Sequence, residues 1–111
     1  AVDNPVVLTG DYHQGMVLDV HATPFDQSSA VVAPEFMAPP ISSGLFSADV
    51  SKRTLQLREQ LNKHGYLTVE ATPEKLTAKF RVLDEVTDPK TAVSTASTWI
   101  VTAGDPVTRK V

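Results

Sequence analysis

Val6-Val7-Leu8-Thr9, closed by Gly10, constrains this chain more than any other feature. Four apolar or β-branched residues in a row, without alternation, describe a strand covered on both faces. Such a strand needs neighbours on either side and packing above and below. It starts almost at the first residue, after Ala1-Val2-Asp3-Asn4-Pro5. That stretch has no initiator methionine and none of the basic-then-apolar pattern of a secretion leader. So abrupt a start points to processing, or to a boundary inside a longer chain.

The remaining sequence reads mostly as strands. Met16 to His21 is a second strand, and Ala30 to Met37 a third, stopped by Pro39-Pro40, which cannot donate to a ladder. Gly65 to Ala71 alternates, with Tyr66, Thr68 and Glu70 opposite Leu67, Val69 and Ala71. Thr77 to Val86 alternates as well, with Ala78, Phe80 and Val82 on one face. Ala92 to Ala103, rich in Thr and Val, is the last strand, closed by Gly104-Asp105-Pro106. Short turns separate these three, so the second half is expected to be an antiparallel meander. One segment reads differently. Val50, Thr54, Leu57 and Leu61 fall on one face of a helix over 49–64. Asp49 or Ser51 can cap its start, Gly65 its end, and His64 suits its negative pole. The expected fold class is therefore α+β, mostly antiparallel β with one main helix. It forms a single unit over 1–111, with strand and loops over 1–46, the helix over 49–64 and the meander over 65–103.

Composition narrows the function. At 111 residues there is room for one core. A net charge of −3 offers no basic footprint for nucleic acid. Without cysteine there is neither a disulfide framework nor a thiolate metal site. No apolar run reaches the ~20 residues of a membrane-crossing helix. Walker and dinucleotide glycine motifs are missing, and Ser42-Ser43-Gly44 lacks the nucleophile-elbow pattern, which leaves it a loop. Tyr66 and Trp99 read as core aromatics.

The sharpest chemical signal is Gly10-Asp11-Tyr12-His13. An inner strand delivers a carboxylate and an imidazole onto the loop at its carboxyl end, where sheet enzymes build sites. Two such groups, two residues apart, can meet one metal ion or two neighbouring ions. They are too few for a hydrolytic centre, which takes about three protein ligands and an open position. Asp19 and His21 read as exposed strand residues, and His64 as a helix end. Glu35, between Pro34 and Phe36, is a carboxylate in apolar company with no obvious partner. The sequence thus displays half of a site.

The order of segments resembles the C-terminal part of the PhoD-like phosphatases. The resemblance is carried by Val-Val-Leu-Thr-Gly-Asp-Tyr-His at 6–13 and Glu-Phe-Met-Ala-Pro-Pro-Ile-Ser-Ser-Gly at 35–44. It continues through His-Gly-Tyr-Leu-Thr-Val-Glu-Ala-Thr-Pro-Glu-Lys-Leu at 64–76, Phe-Arg-Val-Leu-Asp-Glu-Val at 80–86 and Ala-Gly-Asp-Pro at 103–106. That family includes alkaline phosphatase D and related metal-dependent secreted phospholipases D of actinomycetes. The resemblance implies a two-sheet metallophosphoesterase sandwich flanked by helices. It also implies calcium and iron (Ca2+, Fe3+) as cofactors and a phosphate mono- or diester substrate, a phospholipid among the possibilities. Asp11 would be a metal ligand, and His13 a ligand or phosphate-facing catalytic donor. Gln14-Gly15 departs from the family pattern, which often carries a further polar residue or His there. The family's upstream ligands lie outside this chain. The expected partner is accordingly a larger N-terminal fragment of the same enzyme, held non-covalently, and the expected location is extracellular. The competing reading is an autonomous β-rich binding or structural module without catalysis.

Overall fold

The computed structural model describes residues 2–111 and contains eight strands and no helix. They are β1 (Val7–Thr9), β2 (Gly15–His21), β3 (Val31–Met37), β4 (Leu57–Leu61), β5 (Gly65–Ala71), β6 (Lys75–Leu83), β7 (Val93–Thr102) and β8 (Asp105–Lys110). They form two four-stranded sheets, ordered β1-β3-β2-β4 and β5-β6-β7-β8. Among the described residues the only parallel pair is β1 with β3; all the others are antiparallel.

The second sheet is the expected meander. Ala78, Phe80 and Val82 alternate inward along β6, and Trp99 and Val101 join them from β7. Facing them across the sandwich are Val17 of β2 and Phe36 of β3, which are register partners. These side chains make the core, with Val6, Leu61, Leu67 and Leu76 packed around it. Tyr66 does not share it: it lies on the opposite face of β5 and is 37% exposed, so its core assignment fails. One more strand follows the one expected to be the last. Gly104 takes φ 84, which turns the chain in two residues and returns β8 along β7. Pro106 is tolerated because β8 is an edge strand.

The helix over 49–64 is absent, and the α+β class becomes all-β over the described residues. Its first turn does form: Asp49 Oδ1 accepts from Ser51 N at 2.9 Å, and Thr54 N donates to Val50 O at 3.0 Å. It stops there because Leu57–Leu61 is drawn into the first sheet as β4, pairing with β2. Pairing with a neighbouring strand outweighs a helical spacing that isolated propensity supports only weakly. Glu59 lies opposite Val17 in that register and reaches the second sheet. Its Oε2 accepts from Ser97 Oγ at 2.6 Å and Trp99 Nε1 at 2.7 Å, and Lys110 Nζ donates to Oε1 at 2.8 Å. A helix would turn that carboxylate away from its partners.

The chain between β3 and β4 instead lies as a strap on the outer side of the first sheet. Residues 41–49 are exposed, yet their backbone is tied to the sheet by the side-chain amides of Gln14, which is buried, and Gln60, which is half-buried. β1 has only one neighbour, and Val7 and Leu8 are 37% and 56% exposed. The run that calls for cover on both faces does not receive it from the described residues.

Candidate active site

β1 ends at Thr9, and Gly10 carries the chain into a loop that must reverse within five residues to enter β2 at Gly15. The reversal forces two left-handed residues, Asp11 at φ 70 and His13 at φ 63, on either side of Tyr12. Asp and His tolerate that region better than most side chains, but it remains strained, and such strain clusters at functional sites. The result is a tight crown at the carboxyl end of β1. Asp11 and His13 line one open cleft with Gly10, Pro39, Pro40 and Ser43. The two residues singled out in the sequence are therefore brought together, and the strap supplies the opposite wall.

His13 is oriented by the strap. Its Nδ1 lies 2.5 Å from Gly44 O. A carbonyl can only accept, so Nδ1 carries the proton and Nε2 keeps its lone pair when the ring is neutral. A backbone carbonyl on one ring nitrogen and a free second nitrogen is the usual arrangement of a metal-ligating histidine. The Asp11 carboxylate is exposed and takes part in none of the side-chain hydrogen bonds or ion pairs among the described residues. A hard oxygen donor beside an imidazole nitrogen suits a phosphate-binding cation centre. Among the described residues no third His, Cys, Asp or Glu completes such a group.

The other candidates lie elsewhere. Glu35 does have a partner: Thr9 Oγ1 donates to its Oε1 at 2.6 Å, because β1 and β3 run parallel and set Val7 beside Glu35. Asp19 is not a free strand residue, since Arg58 holds its Oδ2 at 3.1 Å and the side chain is 12% exposed. His21 Nδ1 bonds Ser29 O at 2.8 Å and fastens the turn between β2 and β3. His64 ends no helix; its Nε2 bonds Ser43 O at 2.8 Å, on the strap beside the cleft.

Sequence reading missed Gln14 and Gln60. Gln14 is fully buried. Its Nε2 donates to Phe46 O and, at 2.9 Å, to Ala48 O. Its Oε1 accepts from Gln60 Nε2 at 2.6 Å, and Gln60 Nε2 also reaches Ala48 O at 2.8 Å. The available signal was an amide placed between His13 and the buried run of β2, which must find partners.

The PhoD-like phosphatase family model matches residues 1–80. Alkaline phosphatase D of Bacillus subtilis (strain 168) is 32% identical over 118 residues, an alignment covering 99% of this chain and 20% of that protein. A solved structure, described as the structure of PhoD, superposes with a TM-score of 0.84 at 31% identity, over 96% of this chain and 22% of that one. The chain thus spans about a fifth of the length of the curated relative it matches. Blocks that first suggested the family in the sequence are the strands and loops that build the crown, the strap and the meander, and the chain belongs to the PhoD-like phosphatase family.

Proposed function

We propose that this chain is the C-terminal part of a secreted, metal-dependent phosphoric ester hydrolase, and that Asp11 and His13 are its contribution to the reaction centre. The observation that carries this reading is the crown itself. Two left-handed residues flanking Tyr12 present a carboxylate free of protein partners and an imidazole whose Nδ1 is already engaged, both into one cleft. Asp11 acts as a cation ligand. His13 offers Nε2 to a cation or, when protonated, an N–H to a phosphoryl oxygen. Calcium and iron, held in part by Asp11 and His13, would supply charge neutralisation of the phosphoryl group and would lower the pKa of an attacking water. Pro39, Pro40 and Ser43 form the wall that shields one side of the ester. The substrate is a phosphate ester, with the phosphodiester of a phospholipid within its range.

The centre needs donors that this chain does not bring together, so the reading includes a larger N-terminal part of the enzyme, held without covalent linkage. Val7 and Leu8, exposed on a strand of inner composition, support it. Hydrolysis of an aryl phosphodiester and metal content, measured on the assembled enzyme, provide the test. Asp11→Asn is expected to lower both, with activity down about 100-fold or more. Unchanged activity would leave a binding or structural module instead.

A further inference from the structure

The strap over 43–50 is fastened almost wholly by side chains of other segments. His64 bonds Ser43 O, His13 bonds Gly44 O, and Gln14 reaches Phe46 O. Gln14 and Gln60 both donate to Ala48 O, and Gln60 Oε1 accepts from Val50 N at 3.4 Å. One backbone bond supplements these, Phe46 N to His13 O at 3.2 Å. Both amides are used in full. The two N–H groups of Gln14 go to Phe46 and Ala48, and those of Gln60 to Gln14 and Ala48. Such closure costs two ordered side chains and buries one of them completely. An apolar pair at these positions would pack the strap with less specification of where each carbonyl sits.

From this we infer that Gln14 and Gln60 are positioning residues for His13: their amide pair sets the strap so that Gly44 O meets His13 Nδ1 and Ser43 stays on the cleft wall. Gln60 acts from β4, through Gln14 and the strap, and touches nothing in the cleft. The inference rests on the assignment of His13 to the reaction centre. Loss of the latch frees the carbonyl that orients the ring, and outer partners of this kind are worth about 10- to 100-fold in activity.

Gln60→Leu in the assembled enzyme tests it. Gln60 is only half-buried, so its replacement leaves the core in place. Amide exchange at Phe46 and Val50 is expected to quicken, and kcat for an aryl phosphodiester to fall about tenfold, with KM moved less. Trp99→Phe, which loses the bond to Glu59 and leaves the strap alone, serves as the stability control and is expected to keep kcat. The inference is overturned if exchange at Phe46 is unaltered. It is equally overturned if exchange quickens at full kcat, or if Trp99→Phe lowers kcat as much. Should Gln60→Leu not fold, Gln60→Met, of matching length, repeats the measurement. Asp11→Asn separates the two layers: full activity there removes the reaction centre, while the exchange data still decide the latch.

Discussion

Glu59 of β4 and Trp99 of β7 join the two sheets through a single hydrogen bond, the indole Nε1 donating to Oε2 over 2.7 Å. Lys110, the register partner of Trp99, closes the same carboxylate from β8 and lies 5.8 Å from the indole centroid. Arg58, next to Glu59, stands 5.9 Å from that centroid, pairs with Asp19 of the neighbouring β2 and reaches across to Thr108 O of β8. Strand pairing holds each sheet internally, whereas this cluster fixes how one sheet sits on the other.

Glu59→Gln should therefore loosen the sandwich at neutral pH, by about 1.5–3 kcal/mol, the range for hydrogen bonds to a charged group. Burial pushes the Glu59 carboxyl up, but hydrogen bonds from Lys110, Ser97 and Trp99, with the Lys110 charge, outweigh it and hold the group below its ordinary value. A folded value below the unfolded one adds stability above the unfolded pKa of about 4.3. That stability is lost as pH falls through the folded value. Urea unfolding of the two proteins should differ at pH 7 and converge below the folded value. A gap of the same size in acid would show that the charge plays no part.

Gly65→Ala should be among the most damaging small changes. A Cβ there would lie 2.0 Å from Arg81 O, a backbone atom of β6 that cannot swing aside. Gly65 N also donates to Pro40 O at 2.9 Å, tying β5 to the cleft wall. Relief requires parting β5 from β6 at the end beside the strap, at a cost of about 3 kcal/mol. Thermal unfolding measures the loss. Gly44→Ala, with open space at its Cβ, is the contrasting case and should cost little.

Leu8→Asp tests the cover over β1. The side chain is 56% exposed, so unfolding of the chain by itself should shift by no more than about 0.5 kcal/mol. Association with the larger part of the enzyme, followed by size exclusion or titration calorimetry, should fail, since a carboxylate would be buried without a partner. Normal association would place the contact elsewhere.

These relationships were legible in the sequence to different depths. Ala78, Phe80 and Val82 announce their sheet because a half-buried strand writes its face at every second residue. That Asp11 and His13 come together was legible because the loop that presents them is local. β4 was not, since residues four apart share a face both in a helix and in a strand, and Leu57 and Leu61 satisfy either. What decides between them is the partner strand β2 and the reach of Glu59 to Trp99, forty residues away. Thr9 and Glu35 stayed hidden for a similar reason: a parallel pair leaves no turn signature to announce its register. Gln14 shows as a departure from the family pattern, but its role appears only once the strap is known to lie above it.

Backbone strain and the proposed cation-ligand role meet at Asp11. Its φ of 70 suits glycine, and the open loop leaves its carboxylate without a protein partner that would repay the conformation. If the carboxylate is there for a cation, the loop keeps it at the expense of stability. Asp11→Gly should then unfold at a higher temperature than Asp11→Ala, the pair differing by about 1 kcal/mol because only alanine resists the left-handed region. Asp11→Gly should also be at least as stable as the parent chain in the absence of divalent and trivalent cations. Added calcium or iron should raise the melting temperature of the assembled parent enzyme and leave both variants unmoved. A cation response that survives in Asp11→Gly would show that the metal centre does without this residue.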